Sequence, residues 1–242
     1  MSALLQVEGL TRRFGGLVAV DGLSFTLEAG EIVGLLGPNG SGKTTVLNLL
    51  SGALRCDRGR VVLRGKAIDR LAAHRIAGLG IARSFQLVRP LASLDCRDNV
   101  LAGLAFGTRR LWGAAARREA GLLLDRVGLR GAQDRLPGAL TYIDQKRLEL
   151  ARALAIQPVV LLLDEWLAGL NATEMEQGIA LIRSLRGEGI AILLVEHVMD
   201  AIRSLCDRVL VMHAGRLIAS GLPRDVLAEP EVVRAYLGDD DA

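Results

Sequence analysis

Residues 37–45 read Gly37-Pro38-Asn39-Gly40-Ser41-Gly42-Lys43-Thr44-Thr45, and their spacing decides the fold. The core fits G-x-x-x-x-G-K-[ST], with Gly37, Gly42, Lys43 and Thr44 in register. Glycines let successive backbone N–H groups curl around a phosphate with no Cβ in the way. A helix opening at Gly42–Lys43 turns its positive dipole end toward the same anion. Lys43 is then set to bridge the β- and γ-phosphates, and the Thr44 hydroxyl to bind Mg²⁺. The flanks agree: Glu31-Ile-Val-Gly-Leu-Leu36 reads as a short apolar strand, and Thr44 to Leu50 continues as a helix. Lysine is scarce in this chain, appearing only as Lys43, Lys66 and Lys146 among 30 basic residues. It stands in the loop where a compact ammonium is needed.

The rest of the composition bounds the answer. A chain of 242 residues suits one α/β domain with an insertion, or two small lobes. Half the residues are hydrophobic and only 3% aromatic, so the core is aliphatic. The net charge of +3 comes from dispersed arginines. The pairs Arg12-Arg13, Arg109-Arg110 and Arg117-Arg118 have no aromatic interleaving, which argues against nucleic-acid binding. Cys56, Cys96 and Cys206 are odd in number and lack metal spacing, so they read as small buried thiols in a reducing compartment. No signal peptide is visible, and the longest apolar runs fall far short of the ~20 residues that span a bilayer.

Strands are expected at 4–8, 17–27, 60–63 and 81–85, with a short helix at 72–78. From about 88 to 140 strand signals vanish, and 94–105 and 114–128 carry helical periodicity with arginine on the polar face. This stretch reads as a helical insertion. The α/β alternation resumes with a helix at 142–155, a strand at 159–164, a helix at 172–186, a strand at 190–196 and a helix at 198–205. A hairpin around Ala214-Gly215 and two short helices finish the chain. Nearly continuous apolar strands imply a parallel sheet covered on both faces.

A phosphate loop alone says only nucleoside triphosphate. Val160-Leu-Leu-Leu-Asp164-Glu165 narrows it. Four apolar residues put Asp164 at the carboxyl end of a buried strand, where it can hold Mg²⁺ through water. Glu165 follows directly and can polarise an attacking water. His197 ends another apolar strand and can reach the γ-phosphate, whereas His74 and His213 read as surface residues. Gln86 ends a strand where the helical insertion begins, so its amide can touch both the metal and the insertion.

With these motifs in hand, the chain resembles the ATP-binding subunit of an ABC transporter over essentially its whole length. Gly37 to Thr44 corresponds to Walker A, Gln86 to the Q-loop, Val160 to Asp164 to Walker B, Glu165 to the catalytic glutamate, Ala168-Gly-Leu-Asn171 to the D-loop and His197 to the switch histidine. Phe14 corresponds to the aromatic residue that stacks on adenine. More narrowly, the chain is similar to the ATPases of branched-chain amino acid import. That likeness is carried by Arg13-Phe-Gly-Gly-Leu-Val-Ala-Val20, Gly80-Ile-Ala-Arg-Ser-Phe-Gln86, Arg147-Leu-Glu-Leu-Ala-Arg-Ala-Leu154, Val195-Glu-His-Val-Met199 and the ending Val233-Arg-Ala-Tyr-Leu-Gly238.

The resemblance implies one nucleotide-binding domain over 1–242. Its core, 1–87 with 156–242, combines a P-loop sheet with an antiparallel β part, and a helical subdomain spans about 88–155. It implies hydrolysis of ATP with Mg²⁺, and peripheral attachment to the cytoplasmic face of a bacterial inner membrane. The implied partners are two permease subunits, a second ATPase subunit and, indirectly, an extracytoplasmic binding protein. Two rivals keep the motifs: an ATPase of lipopolysaccharide or lipid export, and a soluble ABC ATPase outside transport. A third possibility is a chain that binds ATP but turns it over poorly, as the regulatory half of a heterodimer.

Two departures from the family pattern stand out. The signature Leu-Ser-Gly-Gly-Gln is here Leu140-Thr141-Tyr142-Ile143-Asp144. The resemblance places Thr141, Tyr142 and Ile143 against the partner's γ-phosphate, where a β-branched side chain restricts the backbone and crowds the approach. Asp144 adds a carboxylate near a polyphosphate, unfavourable unless paired with Lys146 or Arg147. In the second departure Trp166 stands where the family has proline, which removes a φ lock beside Glu165. A weakened signature and a tolerated variant are both open at this point.

Overall fold

A computed structural model describes residues 3–84, 89–108 and 110–237. In chain order the elements are β1 (Leu5–Phe14), β2 (Leu17–Leu27), β3 (Ile32–Leu36), α1 (Lys43–Leu50), β4 (Arg58–Leu63), β5 (Lys66–Ala67), α2 (Ala73–Gly78) and β6 (Ile81–Arg83). Then follow α3 (Cys96–Phe106), α4 (Gly113–Arg126), α5 (Tyr142–Ala155), β7 (Val160–Asp164), α6 (Ala172–Gly187), β8 (Ala191–Val195) and α7 (Met199–Leu205). The chain ends with β9 (Arg208–His213), β10 (Arg216–Gly221), α8 (Pro223–Val226) and α9 (Pro230–Leu237).

The strands form two sheets. One is antiparallel, in the order β2-β1-β4-β5; the other runs β10-β9-β3-β8-β7-β6, parallel except for β10 at its edge. β1 is longer than the 4–8 expected from sequence. Gly9 takes φ +56 and the pairing with β2 slips between Val7 and Leu10, a bulge that lets the strand continue through a polar stretch to Phe14. β6 stops at Arg83, and Phe85 lies outside the described residues.

β3, β7 and β8 are buried along their whole length because helices or the second sheet cover both faces. Val160 to Leu163 have no exposure, each contributing roughly 1.5–3 kcal/mol over an exposed side chain. That burial fixes where each strand ends. Since β3, β8 and β7 are adjacent and parallel, the three loops after them open on one edge: 37–42, 196–198 and 165–171. Ligands of open α/β sheets bind at such an edge.

Among the described residues no strand lies between Arg83 and Val160. α3, α4 and α5 pack on one another through Val100, Leu104, Ala120, Leu124, Leu148 and Ala151, and this apolar cluster runs on into the sheet. Cys96 and Cys206 are buried as expected, but Cys56 is only half-buried, in the loop before β4. Burial pushes the Cys206 thiol up to about 12.

Candidate nucleotide-binding site

The loop from β3 to α1 is shaped by close backbone approach. A Cβ on Gly37 would lie 2.1 Å from the Met212 carbonyl oxygen of β9, and one on Gly42 2.2 Å from that of Ala19. Gly42, at φ +107, caps α1 without a side chain, leaving its first N–H groups pointed outward. Lys43 is buried and arches back over the loop, its Nζ donating to the carbonyls of Gly37 (2.7 Å) and Pro38 (2.9 Å). Burial lowers its pKa, while the charges of Glu165 and Asp164 raise it, so all three groups share one electrostatic neighbourhood. Asn39, Gly40, Gly42, Lys43, Thr44, Thr45, Phe14 and Glu165 line a cleft of about 500 Å³. That volume is in the range of small-molecule sites. Phe14 is 43% exposed and carries the Arg12 guanidinium 4.8 Å from its ring centroid. Pro38 and Ser41 shape the turn, with the Ser41 N–H donating to the Pro38 carbonyl at 3.2 Å.

Asp164 ends β7 and is buried against Arg83, which donates to Oδ2 at 2.9 Å and to Asn48 Oδ1 at 2.5 Å. Burial raises the Asp164 pKa, and the hydrogen bond and charge of Arg83 lower it. Glu165 adopts φ +50, a left-handed conformation costing a non-glycine residue roughly 1–3 kcal/mol. Its Oε1 lies 2.9 Å from His197 Nε2. Two residues found at the ends of different strands thus meet in one contact, and α6 starts beyond them in a capping box between Asn171 and Glu174.

Among the described residues no group of three or more His, Cys, Asp or Glu could hold a metal by itself. One exposed threonine hydroxyl and one buried carboxylate fit Mg²⁺, which keeps waters and takes phosphate oxygens instead of an all-protein cage. Gln86 lies outside the described residues.

The segment 140–144 lies apart from this cleft and lines none of it. Thr141 caps α5, its hydroxyl accepting the Asp144 N–H at 3.3 Å, and Tyr142 is 52% exposed. Ile143, expected to crowd a γ-phosphate, has its side chain buried in its own subunit because α5 already begins at Tyr142. Asp144 is paired with Arg147 at 3.0 Å, one of the two partners foreseen for it.

Four residues escaped the reading of the sequence as site residues. Arg83 neutralises Asp164, and its position on a strand beside β7 was the available signal. Glu196 is 1% exposed, accepts the Leu167 N–H at 2.6 Å, and is pushed up to about 7 by burial. Lys146 reaches the loop after Asp164. The Tyr236 hydroxyl accepts the Gly37 N–H at 2.7 Å from the last described helix. None of the last three contacts has a local sequence signal.

A parallel sheet with a phosphate loop, an acidic strand end and a Glu–His contact along one edge defines a P-loop nucleotide-binding cassette. The ABC transporter family model matches residues 20–168. A model described as branched-chain amino acid ATP-binding cassette transporter matches 216–242. The chain is 40% identical over 251 residues to the high-affinity branched-chain amino acid transport ATP-binding protein LivG of Salmonella typhimurium, covering 98% of each chain. It is 39% identical over 250 residues to the corresponding protein BraF of Pseudomonas aeruginosa, again over 98% of each. Its fold matches the crystal structure of the ADP conformation of MJ1267, an ATP-binding cassette of an ABC transporter. The TM-score is 0.89 at 30% identity, over 99% of this chain and 100% of that one. The chain belongs to the ABC transporter family and is an ATP-binding subunit whose hydrolysis of ATP is coupled to transport.

Proposed function

We propose that this chain hydrolyses ATP to drive import of branched-chain or other hydrophobic amino acids across the cytoplasmic membrane. Two cassettes sandwich two ATP molecules head to tail on the cytoplasmic side of two permease subunits, and an extracytoplasmic binding protein delivers the cargo. The cargo rests on the names of LivG and BraF and on the match at 216–242. Peripheral attachment is consistent with the helices: among the described residues none is long and apolar enough to cross a membrane.

The observation that carries the chemistry is the contact of His197 with Glu165, which lines the same cleft as Lys43. The backbone of 39–44 and Lys43 hold the phosphates, Phe14 meets the adenine, and Thr44 and Asp164 hold Mg²⁺ with Gln86. Bound Mg²⁺ offsets phosphate charge. Glu165 takes a proton from the attacking water as its oxygen bonds to the γ-phosphorus and the bond to ADP breaks. His197 orients Glu165 at rest and meets the γ-phosphate in the closed pair. Lys43 neutralises the charge that develops. Thr141, Tyr142 and the backbone at Ile143 are donated to the partner's site. Asp144 is neutralised by Arg147 and Ile143 points inward, so the altered signature supports turnover.

The test is the Mg²⁺-ATPase rate of the purified subunit against its concentration, with Glu165→Gln as control. A rate that climbs faster than linearly and vanishes in the control supports the competent pair. Background turnover with ATP still bound refutes it. Uptake of labelled leucine by cells with and without the gene tests the cargo.

A further inference from the structure

The four residues after Asp164 are held by groups outside their own loop. Lys146, 3% exposed on α5, donates from Nζ to the carbonyls of Glu165 (3.3 Å), Trp166 (3.1 Å) and Ala168 (2.7 Å). Three carbonyls match the three donors of an ammonium. Trp166 returns the contact: its indole N–H donates to the Lys146 carbonyl at 3.3 Å, and its ring is 2% exposed. From the other side Glu196 accepts the Leu167 N–H at 2.6 Å, and the Glu165 N–H donates to the Val195 carbonyl at 2.8 Å. The segment therefore has little freedom around Glu165, whose φ of +50 residues with a Cβ seldom adopt. Tyr142, one turn before Lys146 on α5, places its ring 5.0 Å from the same ammonium.

We propose that Lys146 and Trp166 form a reciprocal latch that positions Glu165 for hydrolysis and ties it to the helix bearing Tyr142 and Ile143. The departure at 166 thereby takes part in a contact with the helix that carries the altered signature. With proline at 166 no ring N–H would reach α5, and Glu165 would sit in a different backbone context. The latch also gives a mechanical route between the site a chain owns and the helix it offers its partner. This inference rests on Glu165 acting as the base.

The test starts from Trp112→Phe, which removes the exposed one of the two tryptophans and leaves Trp166 as reporter. In that background Lys146→Met keeps the length of the side chain and deletes its donors. The rate kcat should fall about 10- to 100-fold, the cost of misplacing a catalytic group by roughly 1 Å. Affinity for ATP should stay within about twofold while Trp166 emission shifts. Lys146→Arg, which restores donors, should recover most of kcat. Should the methionine variant fail to fold, Lys146→Gln, with an amide to donate, should fall between. An unchanged kcat would overturn the latch, as would equal loss of kcat and ATP affinity without rescue by arginine. Glu165→Gln in the same background separates the two ideas: if it hydrolyses ATP normally, the assignment of the base is wrong, whatever Lys146 does.

Discussion

Two loops that leave adjacent regions of one sheet solve the same problem in opposite ways. The loop after β3 is held mostly from within: Lys43 bonds the carbonyls of Gly37 and Pro38, and glycine sits wherever backbone meets backbone. The loop after β7 uses no glycine at its critical residue. Glu165 takes a left-handed conformation in a segment that Lys146 holds from α5 and Val195 and Glu196 hold from the end of β8. A phosphate must be met by bare backbone, which demands glycine. Glu165, which we propose as the base, must carry a side chain, so its backbone conformation has to be imposed from outside.

The largest expected effect breaks the first loop. Gly37→Ala puts a Cβ 2.1 Å from the Met212 carbonyl at φ +142, so a strand or the loop must move. It should lose more than about 3 kcal/mol of stability and abolish ATP binding. Gly40→Ala is the control, since nothing lies within 4 Å of its added Cβ. With φ +79 as its only burden it should lose about 1 kcal/mol. Thermal unfolding and ATP titration of both variants check this, and equal losses would mean that close approach is not what glycine provides.

The second loop has its own weak point in Glu196. Burial raises this carboxyl from 4.5 to about 7 in the folded chain, so between those pH values the folded state binds more protons than the unfolded one. Its favourable contribution is complete below about 4.5 and is lost as pH rises through about 7. Glu196→Gln keeps an oxygen for the Leu167 N–H and removes the titration. Its stability relative to wild type should therefore rise between pH 5 and pH 8, by at most about 3 kcal/mol. Melting temperatures across that range decide, and a constant offset would show that the carboxyl is not desolvated as its burial implies.

The difference in support also explains what the sequence revealed. Gly37 to Thr45, Asp164, Glu165 and His197 are legible because their chemistry is written in adjacent residues or at the ends of apolar runs. The strand order then brings them to one edge. Lys146, Glu196 and Arg83 were not, because each acts on a segment 19 to 81 positions away. Periodicity showed where 142–155 forms a helix but not that Lys146 on it turns inward. For the same reason the sequence left Ile143 open between a weakened signature and a tolerated variant: a helix expected at 142–155 does not say that the side chain at 143 turns into its own subunit.

The smallest effect probes the exception to the contrast. Besides the Gly215 N–H that donates to the Ser41 carbonyl at 3.1 Å, the phosphate loop takes a long-range contact at its first residue, the Gly37 N–H given to the Tyr236 hydroxyl at 2.7 Å. Burial raises that phenol's pKa, opposed by the hydrogen bond, so it stays protonated at neutral pH. Tyr236→Phe keeps the ring and removes the acceptor, which should cost about 0.5–1.5 kcal/mol. If the bond presets the mouth of the loop, most of that loss should surface as an ATP Kd weaker by about two- to tenfold, with kcat nearly unchanged. A fall in melting temperature with unchanged Kd would make Tyr236 a fastener for α9 alone, and the phosphate loop would then owe its shape to its own residues and to the strands it touches.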